Sequence, residues 1–460
     1  MHYRNKVATV YLLGFFIDLI NMFIASVALP AIGASLQATV AQLAWISNGY
    51  IIGLTLVIPL SAWLTQRAGA KRVFLLSLLL FSVATAMAGS ATSLAALLFW
   101  RVIQGAGGGL LIPVGQALAW QLFPQHQRAK LSAVVMLVGL LAPALSPTLG
   151  GWMVQTLSWR WVFFISLPVA LLALVLACCW LQPVAAEIPR KPLDIAGVFI
   201  GSSGLFLLLL ALTQLNEAAA PWQAVACLCA ALLLLTGFVR RCRTHPAPLL
   251  ALPLLTDPLL RLSMLVYLCV PGIFMGVSMV SMLYLQEVFD LSPARSGALM
   301  LPWSLASLLA ITLTGKAFNR LGPRPLMISG CLLQAAGILL LTLLSQPGQY
   351  GLLVSGFALM GAGGSLCSSS AQTSAFLHTR NRDMPQASAL WNINRQLSFC
   401  LGVALLSLLL AQLLQHVAPQ QAYHWTFVTA AIATLLPIAG SLRLDNRAIR
   451  ERLFTRQESQ

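Results

Sequence analysis

This chain is short of acid. Its 460 residues include only 11 Asp and Glu, and charged residues of both signs make up 8%. A soluble domain carries about 25% charge, so an ordinary water-facing surface is excluded. Nine cysteines form no CxxC pair. The sequence therefore predicts no metal site and no disulfide framework. Cys178, Cys179, Cys331 and Cys400 sit inside apolar runs as small packing side chains. Cys227 and Cys229 are two apart and do not share a helix face. None of the six histidines falls in mid-span, which argues against a histidine proton relay. The run Gly105-Ala-Gly107-Gly108-Gly109 is followed by no Gly-Lys-Ser/Thr, so it is not a phosphate loop. No soluble segment is long enough to hold ATP, and no cofactor is implied.

What the chain has in quantity is apolar length. Hydrophobic residues make up 59%, and the mean hydropathy is +0.85. Runs of about 18 or more apolar residues predict an all-α integral membrane protein. The spans fall at 7–29, 43–64, 73–91, 94–122, 131–156, 161–182, 195–214, 222–239, 262–287, 295–318, 326–344, 350–372, 388–415 and 424–442, fourteen in all. Trp45, Trp63, Trp120, Trp159, Trp222 and Trp425 lie near their ends, as interfacial anchors do. Arg4 and Lys6 before the first run resemble the start of a signal peptide. That run is too long for one and contains Asp18, so an uncleaved first span is expected.

The net charge of +16 does not mark a nucleic-acid face. Of 27 Lys and Arg, all but Arg101, Arg160, Arg295 and Arg395 lie in alternate loops and the two termini. That is the positive-inside pattern, and it places both termini in the cytoplasm. Pro- and charge-rich stretches at 183–194 and 240–261 read as linkers. The tail carries Arg443, Arg447, Arg450, Arg452 and Arg456, suited to anionic lipid.

Two motifs recur at nearly one offset. Arg67-Ala-Gly69-Ala-Lys71-Arg72 after helix 2 is echoed by Arg320-Leu-Gly322-Pro-Arg324 after helix 10, 253 residues on by their glycines. Gly105-Ala-Gly107-Gly108 in helix 4 returns as Gly361-Ala-Gly363-Gly364, 256 residues on. Duplicated halves follow: residues 1–182 and 262–442, with a helix pair inserted at 183–261 and a basic tail at 443–460. Such repeats are a transporter design, with the substrate site where the halves meet.

Asp18 sits eleven residues into the first span, roughly 16 Å deep by helix rise. A carboxylate there costs roughly 2.5–3.5 kcal/mol on insertion scales, and must face a partner or a water-filled hollow. It either ties two helices together or marks an ion path; the second reading is the more usual one for such a group. Arg101, about seven residues into helix 4, is its natural partner. The pair reads either as a static brace or as a proton-coupling element, with Gln104 able to bond to either member. Arg395 lies about 10 Å into helix 13 with no acid of its own. Glu217, Glu287 and Asp290 lie at helix ends as solvated charges, although Glu287, next to Gln286, is also a candidate for a second protonation site. Pro143 and Pro147, with Gly150 and Gly151, predict a bent and closely packed helix 5.

In this order the motifs resemble the major facilitator superfamily, specifically its fourteen-helix drug/proton antiporters of the EmrB/QacA-like group. The resemblance rests on Asp18-Leu-Ile-Asn21 with Val27-Ala28-Leu29-Pro30; on Leu64 to Arg72; and on Arg101-Val-Ile-Gln104 with the glycines after it. Pro143 with Ser146-Pro147-Thr-Leu-Gly150-Gly151 is similar to the antiporter motif. Trp159-Arg160-Trp161 with Phe164-Ile-Ser166-Leu-Pro168, Tyr284-Leu-Gln286 and Arg395-Gln396-Leu397 also look like family positions. The family's acid in the loop motif is Gln66 here, with Asn319 as its counterpart in the second half. An amide accepts hydrogen bonds but supplies no ion pair, so the gate is expected to be weaker. Ser146 and Ser166 replace a glycine and an asparagine of the pattern.

The resemblance implies a non-enzymatic, proton-coupled efflux antiporter of the inner membrane that moves hydrophobic or amphiphilic compounds by alternating access. Its expected parts are Asp18 and Arg101 for proton coupling, and Asn21, Gln104, Gln286, Trp391 and Arg395 for the substrate cavity. The gating loops are Gln66, Arg67, Gly69, Lys71, Arg72, Asn319, Arg320 and Gly322. Its expected partners are protons, a small amphiphilic substrate, membrane lipid and, as in some relatives, a periplasmic adaptor; no nucleic acid is expected. Two alternatives stay open: a transporter of one metabolite or organic anion, served by Arg101 and Arg395, and a transport-inactive sensor or scaffold, suggested by Gln66 and Asn319.

Overall fold

The computed structural model describes residues 2–38, 40–183, 192–214, 221–291, 296, 298–344, 346 and 348–455. Glu217, Arg295, Arg456 and most of the 183–194 linker lie outside them, as do the side chains of Pro143 and Pro147. Among the described residues every regular element is helical, as lipid demands of a chain whose backbone groups find no water.

The long helices, in order, are α1 (Tyr3–Leu36), α2 (Val40–Ala68), α3 (Ala70–Gly89), α4 (Leu94–Leu122), α5 (Gln125–Thr156), α6 (Trp161–Trp180), α7 (Ile195–Gln214) and α8 (Pro221–Thr244). They continue with α9 (Pro258–Val288), α10 (Leu301–Leu321), α11 (Pro323–Thr342), α12 (Tyr350–Ala375), α13 (Met384–Leu414) and α14 (Pro419–Leu442), and a short tail helix α15 (Asn446–Thr455). Thirteen contain described stretches long and apolar enough to cross a membrane. The fourteenth, α5, is 32 residues long and packs along α1 and α10.

One expectation about a helix end changes. The first helix does not stop at Pro30 but runs through it to Leu36. A proline removes one backbone donor, a loss that membrane helices tolerate by local adjustment. Within α9, Pro271 lies in a π-turn (Leu268–Gly272), and a second π-turn (Tyr284–Val288) ends the span. The backbone of α5 is helical throughout, including positions 143 and 147.

Helices α1–α6 pack on one another, and so do α9–α14; the α7–α8 hairpin leans on α2 and α13. The repeat seen in the motifs is present in the packing. A Cβ at Gly105 would strike the Tyr50 carbonyl, and one at Gly361 would strike the Trp303 carbonyl. A Cβ at Gly107 would lie 2.9 Å from the Phe81 nitrogen, and one at Gly363 would lie 2.5 Å from the Gln334 nitrogen. The glycine pairs are 256 apart and the partners they meet are 253 apart. So α4 closes on α2 and α3 as α12 closes on α10 and α11, backbone against backbone. Gly69 and Gly322 repeat as well: each precedes a helix, with φ of 85° and 78°, a conformation only glycine adopts freely.

The polarity is that of a lipid-soaked bundle. Phe199, Trp222, Leu233 and Leu309 point outward, each more than three-fifths exposed. Asn21, Arg101, Gln104, Gln116, Gln334 and Asn392 are buried inside. A water-facing surface of that apolar extent would aggregate.

Candidate functional site

Asp18 projects from α1 into the protein and is 1% exposed. Its partner is Tyr50 of α2, whose hydroxyl donates to Asp18 Oδ1. Room for both comes from Gly108 of α4, where a methyl would lie 2.9 Å from the Tyr50 hydroxyl and closer still to the carboxylate.

Arg101 is fully buried one layer away. Its Nε donates to the Ile46 carbonyl (3.0 Å), its Nη1 to Gln104 Oε1 (2.7 Å) and its Nη2 to the Asn21 carbonyl (3.5 Å). Gln104 Nε2 in turn reaches Asn21 Oδ1 (2.8 Å) and Thr85 Oγ1 (2.7 Å). The network thus joins α1, α2, α3 and α4. The guanidinium carbon lies 4.5 Å from the centre of the Tyr50 ring and 5.7 Å from that of Phe163, both within cation–π range.

The expected direct contact between Asp18 and Arg101 is therefore corrected. Among the described residues Asp18 makes no ion pair. Three donors of Arg101 go to two carbonyls and an amide, and its guanidinium faces the Tyr50 ring. Both Arg101 and Arg395 still lie within electrostatic reach of the carboxylate.

Between the two six-helix groups lies a central cavity of about 330 Å³, within the size range of small-molecule sites. Trp391 and Arg395 line it. Asn21, Gln104 and Gln286 do not: the first two are locked in the Arg101 network, and Gln286 sits in the terminal π-turn of α9. Aromatic walls come from Phe274 stacked on Trp303 (4.9 Å between ring centres) and Tyr267 edge-on to Trp391 (5.0 Å). A polar corner went unread in the sequence. Gln116 Oε1 accepts from Asn392 Nδ2 (2.7 Å), with the Ser388 hydroxyl 2.8 Å away. The signal was there, two amides in apolar runs. A second hollow of about 420 Å³ opens sideways between α2, α7 and α13 and shares Met275 and Phe399 with the central one.

The two groups are joined at the end that carries the basic loops. Arg128 Nη1 donates to the Phe376 carbonyl (2.5 Å), Gln125 Nε2 to that of Leu377 (2.7 Å) and Gln121 Nε2 to that of Asn381 (2.8 Å). Asn319 Nδ2 donates to the His126 carbonyl (2.6 Å). Of the predicted gating residues only Asn319 takes part. Gln66 is half-buried with no polar partner among the described residues, Arg67 lies 5.5 Å from the Trp63 ring centre and Lys71 donates to the Cys178 carbonyl (3.0 Å). Arg72 and Arg320 are exposed. Arg128 was read only as topology, because a loop arginine looks the same whether or not it crosses an interface. Asn446 of the tail helix donates to the Leu321 carbonyl and accepts from the Arg324 nitrogen, on either side of Gly322.

In the antiporter motif, the Ser146 hydroxyl bonds back to the Ala142 carbonyl (2.6 Å). A Cβ at Gly150 would lie 2.9 Å from Ile24, whereas Gly151 faces open space.

Comparison with known proteins agrees with this architecture. The Major Facilitator Superfamily profile matches residues 11–403. The "Multidrug resistance protein B homolog" of Mycobacterium tuberculosis is 31% identical over 408 residues, 86% of this chain and 74% of that one. The "Multidrug transporter protein MdtP" of Bacillus subtilis is 28% identical over 78% of this chain and 66% of its own length. The solved proton:xylose symporter XylE superposes with a TM-score of 0.65 over 94% of each chain at 16% identity, a likeness that speaks to the fold alone. The chain is a multi-pass membrane protein, and it belongs to the Major Facilitator Superfamily of transporters.

Proposed function

We propose that this protein is a proton-coupled exporter of hydrophobic or amphiphilic compounds, residing in the inner membrane with both termini in the cytoplasm. The observation that carries the reading is the buried Asp18 carboxylate, bonded to Tyr50, whose ring also meets the Arg101 guanidinium. The names of the relatives support the substrate breadth.

In this reading residues 1–182 and 262–442 rock against each other about the central cavity, with the inserted pair at 183–261 as a lateral brace. The carbonyl contacts of Arg128, Gln125, Gln121 and Asn319 hold the cytoplasmic end shut. Protonating Asp18 turns an acceptor into a group that also donates. It also removes the negative charge that faces Arg101 and Arg395, and this change biases the rocking. One proton crossing 100 mV supplies ~2.3 kcal/mol, enough for roughly fiftyfold accumulation. The test is efflux into inverted vesicles with an imposed pH gradient. Asp18→Asn is expected to abolish gradient-driven flux while leaving substrate binding, and full gradient-driven flux in that variant would overturn the reading.

A further inference from the structure

Among the described residues that line the central cavity, Arg395 is the sole ionic group, and none is Asp or Glu. The Nε of Arg395 is buried without a hydrogen-bond partner, and its guanidinium carbon lies 5.4 Å from the Phe15 ring centre. The nearby carboxylate, Asp18, does not line the cavity and is engaged by Tyr50.

A guanidinium beside a low-dielectric hollow is left short of partners unless an anion enters. A cationic guest would meet repulsion from Arg395, and the Phe15 face that might have received it is already covered by that guanidinium. The remaining walls suit a flat apolar body: the Phe274–Trp303 stack on one side and the Tyr267–Trp391 edge on another. Asn392 Oδ1 and Gln372 Oε1 are buried acceptors without donors, placed to receive a hydroxyl or N–H of the guest.

We infer that the central cavity selects amphiphilic organic anions, with a carboxylate or sulfonate on Arg395 and a planar aromatic body between Trp303 and Trp391. This rests on the cavity being the substrate site in the reading above. It goes further in fixing the sign of the charge.

The test is equilibrium binding to the whole protein in zwitterionic nanodiscs, with no ion gradient. Run at one fixed pH, it reads binding alone and does not depend on proton-driven transport. The probes are naphthalenesulfonate, its neutral sulfonamide and a naphthyl trimethylammonium ion. Measurement at about 0.3 M salt suppresses attraction to the basic surface, since screening is then effective beyond several ångströms. The anion is expected to bind at least tenfold more tightly than the cation, with the neutral amide between. Arg395→Gln should remove that preference, and Arg395→Lys should restore part of it. Equal or tighter binding of the cation to the native protein would overturn the proposal without need of any variant. So would an unchanged anion preference in a folded Arg395→Gln protein.

Discussion

Tyr50 touches both Asp18 and Arg101: its hydroxyl donates to Asp18, and its ring centre lies 4.5 Å from the Arg101 guanidinium carbon. One aromatic side chain thus contacts both acid and base. Removing the hydroxyl leaves a buried carboxylate without its donor, a loss of about 1.5–3 kcal/mol for a charged acceptor. Tyr50→Phe is therefore expected to reduce gradient-driven flux at least tenfold while changing substrate affinity little. In the Asp18→Asn background its cost in thermal stability should largely vanish, because the two act as one unit. Additive losses in that double-mutant cycle would show that the contact is incidental.

This arrangement shows where the sequence was readable and where it was not. Span number and order follow from apolar length, and the repeat follows from two glycine motifs. Asp18 and Arg101 stand out because charge is rare in lipid. Tyr50 does not, since a tyrosine in an apolar run is ordinary. What periodicity lacks is the rotational setting of each helix against its neighbours. For that reason Asn21 and Gln104 were expected in the cavity but are turned toward Arg101, and Gln116 and Asn392 were overlooked. Arg128 was hidden for a different reason: its acceptor is a backbone carbonyl of Phe376, 248 residues away, which has no sequence signature.

Arg101 uses three donors in three directions, two of them toward backbone carbonyls. Lysine has the charge but not the planar fork. Arg101→Lys should leave at least one buried acceptor unmet, at about 1–3 kcal/mol. The expected result is a lower apparent thermal midpoint together with lost flux. A variant of native thermal stability and full flux would mean that only the charge matters.

The basic end is held by contacts to carbonyls, and Arg128 makes the shortest of them. Arg128→Ala should shift the population toward separation at that end. Spin labels at the exposed positions Lys130 and Arg380, one on each side of the interface, should report a broader and longer distance distribution. An unchanged distribution would place the lock elsewhere.

Asp257, just ahead of α9, accepts from the Leu259 nitrogen (3.0 Å) and lies 3.2 Å from His378 Nδ1. Burial pushes its carboxyl upward, but the hydrogen bonds from His378 and the α9 amides, with the His378 charge, outweigh that and hold it below the usual carboxylate value. A depressed folded-state pKa contributes stability above the unfolded value near 3.9, lost as pH falls through the folded one. The half-exposed setting keeps the effect at about 1 kcal/mol or less. Native protein should therefore melt slightly above Asp257→Asn at neutral pH, and the gap should close below about pH 4. A gap that persists in acid would point to the lost cap geometry rather than to charge.

The paired glycines give a symmetric prediction. A methyl at Gly105 meets the Tyr50 carbonyl, and one at Gly361 meets the Trp303 carbonyl. In each case the obstacle is backbone, which cannot swing aside as a side-chain tip does. Forcing such contact costs about 1–3 kcal/mol in a packed interior. Gly105→Ala and Gly361→Ala should thus lower thermal stability by similar amounts, although only Gly105 packs on the Tyr50 backbone beside the carboxylate network. The readout that separates them is function at a temperature where both remain folded. Gly105→Ala displaces Tyr50 and should reduce proton-driven flux, whereas Gly361→Ala moves Trp303 and should weaken binding in the central cavity. If both variants lose binding alike and keep the same coupling, the first helix group has no special hold on the proton.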